Sequence, residues 1–327
     1  MDAQHSNRAL VIGARGVLGA LTVRALAAAG WIVRGGVRRP GPGEVEIDLD
    51  RSDSVAAGLD PEELVVNAVP HPGLLTERHV LEHGGTLINI SALPAAAERS
   101  LRAVAAGARG TVLMNAGLAP GVTSLVAADL LRVRPDADEL EIVLTVSSGI
   151  ARGPAGAAFL HRGLAVVAHH RTARVTLPAP FGERLCIGFG EGDAGWLGGV
   201  AEGRLVRLYV CVAEPEAHER LLAANTAGTM RSLPADAFRS VNGPAGDEPV
   251  AHWVAALRRG RRLSVRIVEC HGDFVSAART TPVFADVLRT ARPGAGCFGP
   301  EEVCTLADVD APLRRAGIAV SARPAPR

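Results

Sequence analysis

The sequence predicts an α/β protein with a doubly wound parallel sheet, followed by an inserted α+β domain whose sheet is largely antiparallel. Three observations support this fold class. Apolar runs that fit buried strands alternate with helical patterns over the first ~130 residues. A glycine-rich turn separates the first strand from the first helix. Beyond residue 135, polar and apolar residues alternate within the strands, which is typical of sheets covered on one face.

The first part of the chain is interpreted as six strands connected mainly by helices. Its apolar runs are short and bounded by glycine, proline or polar residues, as expected of strands that are buried on both faces. Right-handed crossovers then place helices on both sides of the sheet. The predicted strands are 9–12, 31–37, 44–49, 64–70, 85–91 and 111–115, and the predicted helices are 16–29, 52–58, 74–83 and 95–106.

The turn after the first strand carries three glycines in the spacing Gly-x-x-Gly-x-x-Gly. Glycine lets the backbone adopt the turn, lets a phosphate approach the main chain and lets the helix pack closely on the strand. Exposed N–H groups and the helix dipole then favour a pyrophosphate. Because a strand precedes the turn and a helix follows it, the motif indicates a Rossmann dinucleotide site rather than a plain structural turn. The residues assigned to cofactor binding here are Gly13, Arg15, Gly16, Val17, Leu18 and Gly19.

Two arginines, Arg38 and Arg39, follow the second strand, where NAD-dependent enzymes place an acidic residue on the ribose 2′-hydroxyl. Guanidinium groups can bind a 2′-phosphate bidentately, so the sequence favours NADP over NAD. The alternative is a pair of solvated arginines before the turn 40–43. Asp48 and Leu49, at the end of the third strand, are predicted to meet the adenine.

Further cofactor contacts are predicted where later strands end, because ligands bind at the carboxyl edge of open parallel sheets. The turn 116–121 follows the sixth strand and opens an apolar helix. We expect this turn to form a wall of the nicotinamide and substrate pocket between the domains; the alternative is an ordinary helix start capped by Thr123 or Ser124. The residues assigned along this edge are Ala68, Val69, Pro70, Ser91, Gly117, Pro120 and Gly121.

The second part of the chain is predicted to be a mixed domain with helices on one side of its sheet. Its inner face could also serve a dimer. The expected strands are 139–146, 174–177, 204–212 and 261–269, and the expected helices are 157–172, 215–231 and 249–259.

The tail is predicted to be helical and to pack back on the first domain. Thr281 and Pro282 provide an N-cap and a proline at the first helical position, and a last helix is expected at 307–316. The predicted domains are therefore a dinucleotide-binding domain at 1–130, a substrate and dimerisation domain at 131–278, and returning C-terminal helices at 279–327.

Composition excludes several functions. The formal net charge is +1, so there is no electrostatic case for binding nucleic acid or an anionic membrane. No apolar run reaches the ~20 residues needed to span a bilayer, and the first residues lack a signal-peptide pattern, so a cytoplasmic protein is expected. The 35 basic residues are all arginines, which excludes catalysis by a lysine amine. With one tyrosine, Tyr209, and no lysine, the Tyr-x-x-x-Lys pair of short-chain dehydrogenases is also excluded.

The cysteines indicate neither a disulfide framework nor a metal site. There are five of them, an odd number, and none are in Cys-x-x-Cys spacing. We therefore interpret them as small buried hydrophobic residues.

Candidate catalytic residues are sought among proton donors, since hydride transfer usually requires one. Histidine is the natural choice in a chain without lysine, and His71 directly follows the fourth strand, although it could be an ordinary loop histidine. Ser91 and Asn115 end the fifth and sixth strands and could bind the carboxamide or the substrate, or serve as turn residues. Arg162, in the second domain, could hold a substrate carboxylate.

Four segments carry a family resemblance: 11–19, 66–70, the run 115–121 entering a helix, and the late Arg292-Pro293-Gly294. Together they resemble the saccharopine dehydrogenase-like family of NAD(P)-dependent oxidoreductases. The resemblance implies a dinucleotide domain split by a substrate domain, binding of NADP or NAD, and hydride transfer at a carbon–nitrogen bond of amino-acid or polyamine-like substrates, often by homodimers. Family members that rely on a lysine are excluded as mechanistic models by the composition.

The sequence therefore predicts an NADP-dependent reductase, a homodimer that acts on the C=N (imine-type) bond of a small molecule. One alternative is a C=C or C=O reductase of a biosynthetic pathway. Another is a sensor or regulator that binds NADP and catalyses nothing. A proton donor within reach of the nicotinamide would distinguish an enzyme from a sensor.

Overall fold

The chain forms two compact units, each assembled from two separate segments. The structure is a computed structural model that describes residues 7–147, 153–190, 195–201, 203–234, 237 and 247–323. The first unit comprises Met1–Val122 and Ala277–Pro312, and the second comprises Thr123–Ser276 and Leu313–Arg327. The chain thus leaves the first unit, builds most of the second, and then contributes a further segment to each.

The first unit contains a seven-stranded sheet in which all neighbouring strands are parallel. With strands numbered along the whole chain, its members are β1 (Arg8–Ile12), β2 (Ile32–Val37), β3 (Glu44–Glu46), β4 (Leu64–Asn67), β5 (Thr86–Asn89), β6 (Thr111–Leu113) and β13 (Gly296–Phe298). Their order is β13-β6-β5-β4-β1-β2-β3. This order reverses between β1 and β4, so these two strands form the topological switch point at which open α/β sheets bind ligands. The predicted Rossmann sheet is confirmed.

Helices connect the strands of the first unit close to the predicted positions. They are α1 (Val17–Ala28), α2 (Ser52–Gly58), α3 (Leu75–His83) and α4 (Ala95–Val104). Helix α1 contacts β1 and β2, whereas α3 contacts both α2 and α4. Right-handed crossovers place α1 on one face of the sheet and the other three helices on the opposite face. The core between the sheet and α2–α4 includes Leu10, Ile12, Val55, Val65, Leu81, Leu87, Leu101 and Val112.

The second unit contains a mixed sheet, as predicted. Its strands are β7 (Glu139–Val146), β8 (Thr172–Thr176), β9 (Glu183–Gly188), β10 (Leu205–Val212), β11 (Pro249–Arg258), β12 (Arg261–His271) and β14 (Ala319–Arg323). Their order is β14-β12-β11-β7-β10-β9-β8. Strands β7 and β10 pair in parallel, and the other neighbours pair antiparallel. The helices of this part are α5 (Val122–Val133), α6 (Gly153–Leu164) and α7 (Pro215–Ala227).

One predicted helix, at 249–259, is wrong, because this segment is strand β11. Its run of alanine, valine and leucine suits a buried helix as well as a buried strand. Strand β11 pairs with β12 on one side and β7 on the other, and all of its residues except the two at its ends are buried. Strand β11 is apolar along both faces apart from His252, so it lacks the alternation of polar and apolar residues that predicted β7, β10 and β12.

The C-terminal part also differs from the predicted set of helices returning to the first domain. Helix α8 (Asp273–Ala291) starts eight residues before Thr281, so Pro282 lies inside it. The hydroxyl of Thr281 is buried without a hydrogen-bond partner, and it caps nothing. After α8 come β13, α9 (Pro300–Val303), α10 (Leu306–Arg315) and β14. Strand β14 pairs with β12 of the second sheet, so the last segment of the tail belongs to the second unit.

No helix in the described ranges combines the length and the apolar character that crossing a membrane requires. The five cysteines, which all lie in the described ranges, form no disulfide bonds, and four of them are buried. In the same ranges, no group of three or more histidine, cysteine, aspartate or glutamate side chains is arranged to hold a metal ion.

The stability of the first unit should depend on pH through Glu301 in α9. Burial, together with the neighbouring carboxylates of Glu302 and Glu98, raises the pKa of this carboxyl from its ordinary value of 4.5 to about 7. The folded state therefore keeps a proton that the unfolded chain releases above pH 4.5. We expect the stability contributed by this group to be present below that pH and to be lost as the pH rises to about 7.

Glu301→Gln should remove this part of the pH dependence, which amounts to at most about 3 kcal/mol. Urea unfolding of the wild type and the variant at about pH 5 and about pH 8 would measure the difference. Glu82→Gln, which changes an exposed carboxylate of α3, is the control and should behave as the wild type. Identical pH profiles for wild type and Glu301→Gln would contradict the assignment.

Candidate functional site

The ends of β1 and β4 meet at Gly13 and Val69. Gly13 has a φ of +79°, and a Cβ at this position would overlap the Val69 side chain. Its N–H donates to the carbonyl of Gly36 at 2.9 Å, which ties the turn to β2. The Val69 N–H donates to the side-chain oxygen of Asn67 at 3.0 Å. The close approach of two strand ends therefore requires glycine at position 13.

The N-terminus of α1 faces solvent without a side-chain cap. Gly16 is the N-cap residue, no acidic residue lies in the first turn, and the predicted cofactor residues Arg15, Gly16 and Val17 are exposed. Leu18, the second residue of the helix, is half-buried. The first N–H groups of a helix have no carbonyl partner within it, and here no side chain supplies one. The helix N-terminus is thus available to an anion.

Gly19 has a different role from Gly16. A Cβ at Gly19 would overlap the backbone carbonyl of Gly13, so this glycine permits the helix to pack on the turn. A Cβ at Gly16 would meet one atom, the Gly13 carbonyl oxygen, at 3.1 Å, and its φ of −73° suits any residue. The exposed Gly16 is therefore the position at which an absent side chain leaves space for a ligand.

Arg38 and Arg39 directly follow β2, and both are exposed. Neither has a hydrogen bond or an ion pair with any residue that the structure describes. Arg15 differs, because its Nε donates to Glu44 Oε1 at 3.0 Å and its Nη2 to Glu44 Oε2. The two arginines after β2 are thus free to bind an anion, whereas Arg15 is already paired.

The residues predicted to meet adenine are placed differently from each other. Leu49 is 9% exposed and belongs to the core of the first unit, so it offers little surface to a ligand. Asp48 is half-buried, and its carboxylate accepts the N–H of Asp50 at 3.2 Å. Of the two, Asp48 has the greater surface for a contact.

A buried hydrogen-bond network joins the ends of β4 and β5. The Oε1 atom of Glu77, on α3, accepts the side-chain amides of Asn67 at 2.7 Å and of Asn89 at 2.6 Å. The Oδ1 atom of Asn67 holds the N–H of Val69, and that of Asn89 holds both the N–H and the hydroxyl of Ser91. Ser91 is 7% exposed and already donates its hydroxyl proton. The network fixes the two turns on which predicted cofactor residues lie.

A second network holds Asn115, which follows β6. Asn115 has a φ of +54°, and its Oδ1 accepts the N–H of Leu93 at 2.9 Å. Its amide donates to Glu98, which also pairs with Arg102, and Arg102 forms a bidentate pair with Glu302. Burial raises the pKa of Glu98. Asn115 is 3% exposed, so its side chain is used to position the turn at 91–93.

His71 remains accessible on the loop after β4, with Ala68 and Val69 half-buried and Pro70 exposed before it. Its side chain is 23% exposed. Nδ1 accepts the N–H of Gly73 at 3.2 Å, so Nε2 carries the proton and donates to Asp50 Oδ1 at 3.1 Å. Three of the predicted catalytic residues lie in the first unit. Of these, Ser91 and Asn115 are buried, whereas the His71 imidazole has exposed surface.

The turn from Gly117 to Gly121 is mostly buried. Gly117 and Gly121 form an isolated backbone bridge, and the N–H of Val122 donates to the Gly117 carbonyl at 3.1 Å. Gly117, Pro120 and Gly121 are all buried, and Ala119 between them is half-buried. The predicted wall is thus a tight, rigid turn in which Ala119 presents the accessible surface.

Arg162 belongs to the other unit, where it is an exposed residue in the last turn of α6. The structure therefore brings together the predicted residues at the ends of β1, β2, β4, β5 and β6 in the first unit, and Arg162 is a residue of the second unit. Sequence reasoning missed Glu77, Glu98 and Glu44. The available signal was an asparagine at or just after the ends of three adjacent strands, at positions 67, 89 and 115.

The comparisons with known proteins address the fold. No protein-family model matches the sequence, and no curated protein matches it. The structure is similar to the apo saccharopine dehydrogenase (L-Glu forming) from Saccharomyces cerevisiae, with a TM-score of 0.62 and 12% identity over 97% of this chain and 99% of that chain. It is also similar to a homospermidine synthase from Legionella pneumophila in complex with NAD, with a TM-score of 0.64 and 10% identity over 97% and 91% of the two chains.

These two similarities show that the chain shares the fold of saccharopine dehydrogenase and of homospermidine synthase. The resemblance noted in the sequence is therefore confirmed at the level of the fold. The positions of the glycine-rich turn, the two arginines and the strand ends within that fold are the basis for inferring what the protein does.

Gly19→Ala should destabilise the first unit by about 1–3 kcal/mol, because the new methyl group would collide with the Gly13 backbone. Thermal or urea unfolding would measure the loss. Gly107→Ala is the matched control, since no atom lies within 4 Å of its Cβ position and its φ is unstrained. A Gly19→Ala variant as stable as Gly107→Ala would show that the helix does not pack on the turn as described.

Proposed function

We propose that this protein is an oxidoreductase whose first unit binds a nicotinamide dinucleotide, with NADP as the preferred form. The observation that carries the proposal is the uncapped N-terminus of α1 at the switch point, accompanied by two exposed arginines that have no partner among the described residues. The fold shared with saccharopine dehydrogenase, and with a homospermidine synthase whose structure contains NAD, supports it.

The residues of the first unit fit such a cofactor. The N–H groups of Val17 and Leu18 belong to the first turn of α1, whose dipole favours a pyrophosphate, whereas the Gly16 N–H already donates to the Gly13 carbonyl at 2.8 Å. The turns at 68–70 and 117–121 follow strands β4 and β6 on the same edge of the sheet. When bound, the dinucleotide supplies the hydride, and the residues of the chain orient it, exclude water and move the proton.

The preference for NADP rests on charge. NAD-dependent dinucleotide folds place a carboxylate at the end of the second strand, where it would repel a 2′-phosphate. Here that position carries Arg38 and Arg39, and the guanidinium fork suits a phosphate in bidentate geometry. Glu44 lies on the adjacent strand, but its carboxylate is held by Arg15. The adenosine end of the site is therefore net positive.

The proposed reaction is reduction of a C=N (imine-type) bond in a small molecule, with C=C or C=O reduction as the alternative chemistry. His71 is the proposed proton donor, because it is an accessible imidazole whose orientation is held by Asp50 and by the N–H of Gly73. Ser91 and Asn115 act in this proposal through the turns they hold, and Arg162 binds a substrate carboxylate. A homodimer, which the family resemblance implies, and the cytoplasmic location expected from the sequence complete the proposal.

The double variant Arg38→Ala/Arg39→Ala should raise the Kd of NADPH by about 10- to 100-fold, since charge-assisted hydrogen bonds are lost at the 2′-phosphate. The Kd of NADH should change by less than about threefold. Fluorescence titration of both nucleotides would measure these constants. Arg24→Ala/Arg99→Ala, which removes two exposed arginines from helices of the same unit, is the control. Equal losses for NADPH and NADH would remove the argument for NADP.

His71→Gln should lower kcat by about 10²- to 10⁴-fold, because the proton donor is lost, while the Kd of NADPH stays within about twofold. The assay follows NADPH consumption with a panel of cyclic imines, 2-oxo acids plus amines, and enones. Unchanged turnover in the variant would exclude His71. NADPH binding with no consumption by the wild type across the panel is the outcome expected of an NADP-binding sensor.

A further inference from the structure

The glycine-rich turn carries an ion pair that the cofactor assignment does not require. Arg15, between Gly13 and Gly16, is the third arginine near the adenosine end of the site. Its guanidinium binds the carboxylate of Glu44 through both Nε and Nη2. The Arg15 side chain is 61% exposed and that of Glu44 is 22% exposed, so the pair lies at the surface of the site.

The ion pair also touches the turn that bears the other two arginines. The N–H of Gly41 donates to Glu44 Oε2 at 2.8 Å, and a Cβ on Gly41 would lie 3.3 Å from both Arg15 Nη2 and Glu44 Oε2. Only Pro40 separates Gly41 from Arg39. Arg15, Glu44 and the turn after β2 therefore form one contiguous cluster, which we call the adenosine-end cluster.

Glu44 is charged at neutral pH. The backbone N–H of Gly41 and the hydrogen bonds from Arg15 lower the pKa of its carboxyl. Glu44 is the acidic member of this cluster, and its negative charge offsets the positive charges of Arg15, Arg38 and Arg39. An anion placed beside Arg38 and Arg39 would be attracted by the arginines and repelled by Glu44.

We propose that Glu44 is a specificity-determining residue that limits how strongly the adenosine-end cluster discriminates a 2′-phosphate from a 2′-hydroxyl. It does so by neutralising Arg15, which keeps three of its five N–H groups outside the pair with Glu44. The pair holds Arg15 at the site but cancels its charge. This inference rests on the proposed function, since it assumes that the 2′-phosphate lies beside Arg38 and Arg39.

The geometry separates two contributions of Glu44 that a variant can distinguish. Its oxygen braces the turn by accepting the Gly41 N–H, and its negative charge opposes the phosphate. Glu44→Gln keeps a side-chain oxygen for the Gly41 N–H, and it removes the charge together with the second oxygen, which accepts Arg15 Nε. Glu44→Ala removes both, and so it should loosen the turn and weaken binding of every adenosine nucleotide.

The test compares adenosine 2′,5′-bisphosphate with adenosine 5′-monophosphate by calorimetry, because these probes report on the adenosine end alone. Glu44→Gln should tighten the bisphosphate by about 3- to 10-fold at low salt, and the gain should shrink as salt screens the charges. The monophosphate should change by less than about twofold. Glu82→Gln, with the same charge change on an exposed part of α3, should leave both constants unaltered.

Each outcome separates this inference from the proposed function. If the wild type prefers the bisphosphate and Glu44→Gln leaves the ratio of the two constants unchanged, Glu44 only braces the turn and the inference is overturned alone. If Glu44→Gln weakens both probes equally, the same conclusion holds. If the wild type binds the two probes equally well and Arg38→Ala/Arg39→Ala changes neither, the NADP assignment fails and this inference fails with it.

Discussion

The ligand-facing edge of the first unit depends on one buried carboxylate. Glu77 is 1% exposed, and its Oε1 accepts the side-chain amides that end β4 and β5. Burying a carboxylate costs free energy unless hydrogen-bond donors replace the lost water. Asn67 and Asn89, which are paired neighbours at the ends of β4 and β5, supply these donors. The side-chain oxygens of the same two asparagines accept the N–H groups of Val69 and Ser91, which holds the two turns in place. Losing one partner would leave buried polar groups unpaired, at about 1–3 kcal/mol each.

The polar groups of this edge fall into two sets with different tasks. Asn67, Asn89 and Asn115 point into buried networks and fix the backbone of the turns. The first N–H groups of α1 and the guanidinium groups after β2 face solvent and have no described side-chain partner. Preorganised turns hold unsatisfied donors at fixed positions, so an anionic ligand would not have to order them on binding. This arrangement is what one expects of a ligand site supported by a rigid scaffold.

Much of the first unit could be predicted from the sequence, because its information is local. The glycine spacing and the continuous apolar runs identified the strand–turn–helix unit and the parallel sheet, and the structure has both. Strand β11 could not be identified in this way, since a strand buried on both faces has the composition of a buried helix. The roles of Glu77 and Glu44 were also hidden, because each depends on a partner at least ten residues away in the sequence and adjacent only in the fold.

The stretch after α8 has a consequence for association between chains. It supplies β13 to the edge of the first sheet and β14 to the edge of the second. Each of these strands covers a neighbour, β6 or β12, whose backbone groups would otherwise be unpaired. An uncovered strand edge is a template for pairing with another molecule. A single stretch of chain thus supplies a short edge strand to both sheets, and its removal would transfer the edges to β6 and to the 11-residue strand β12.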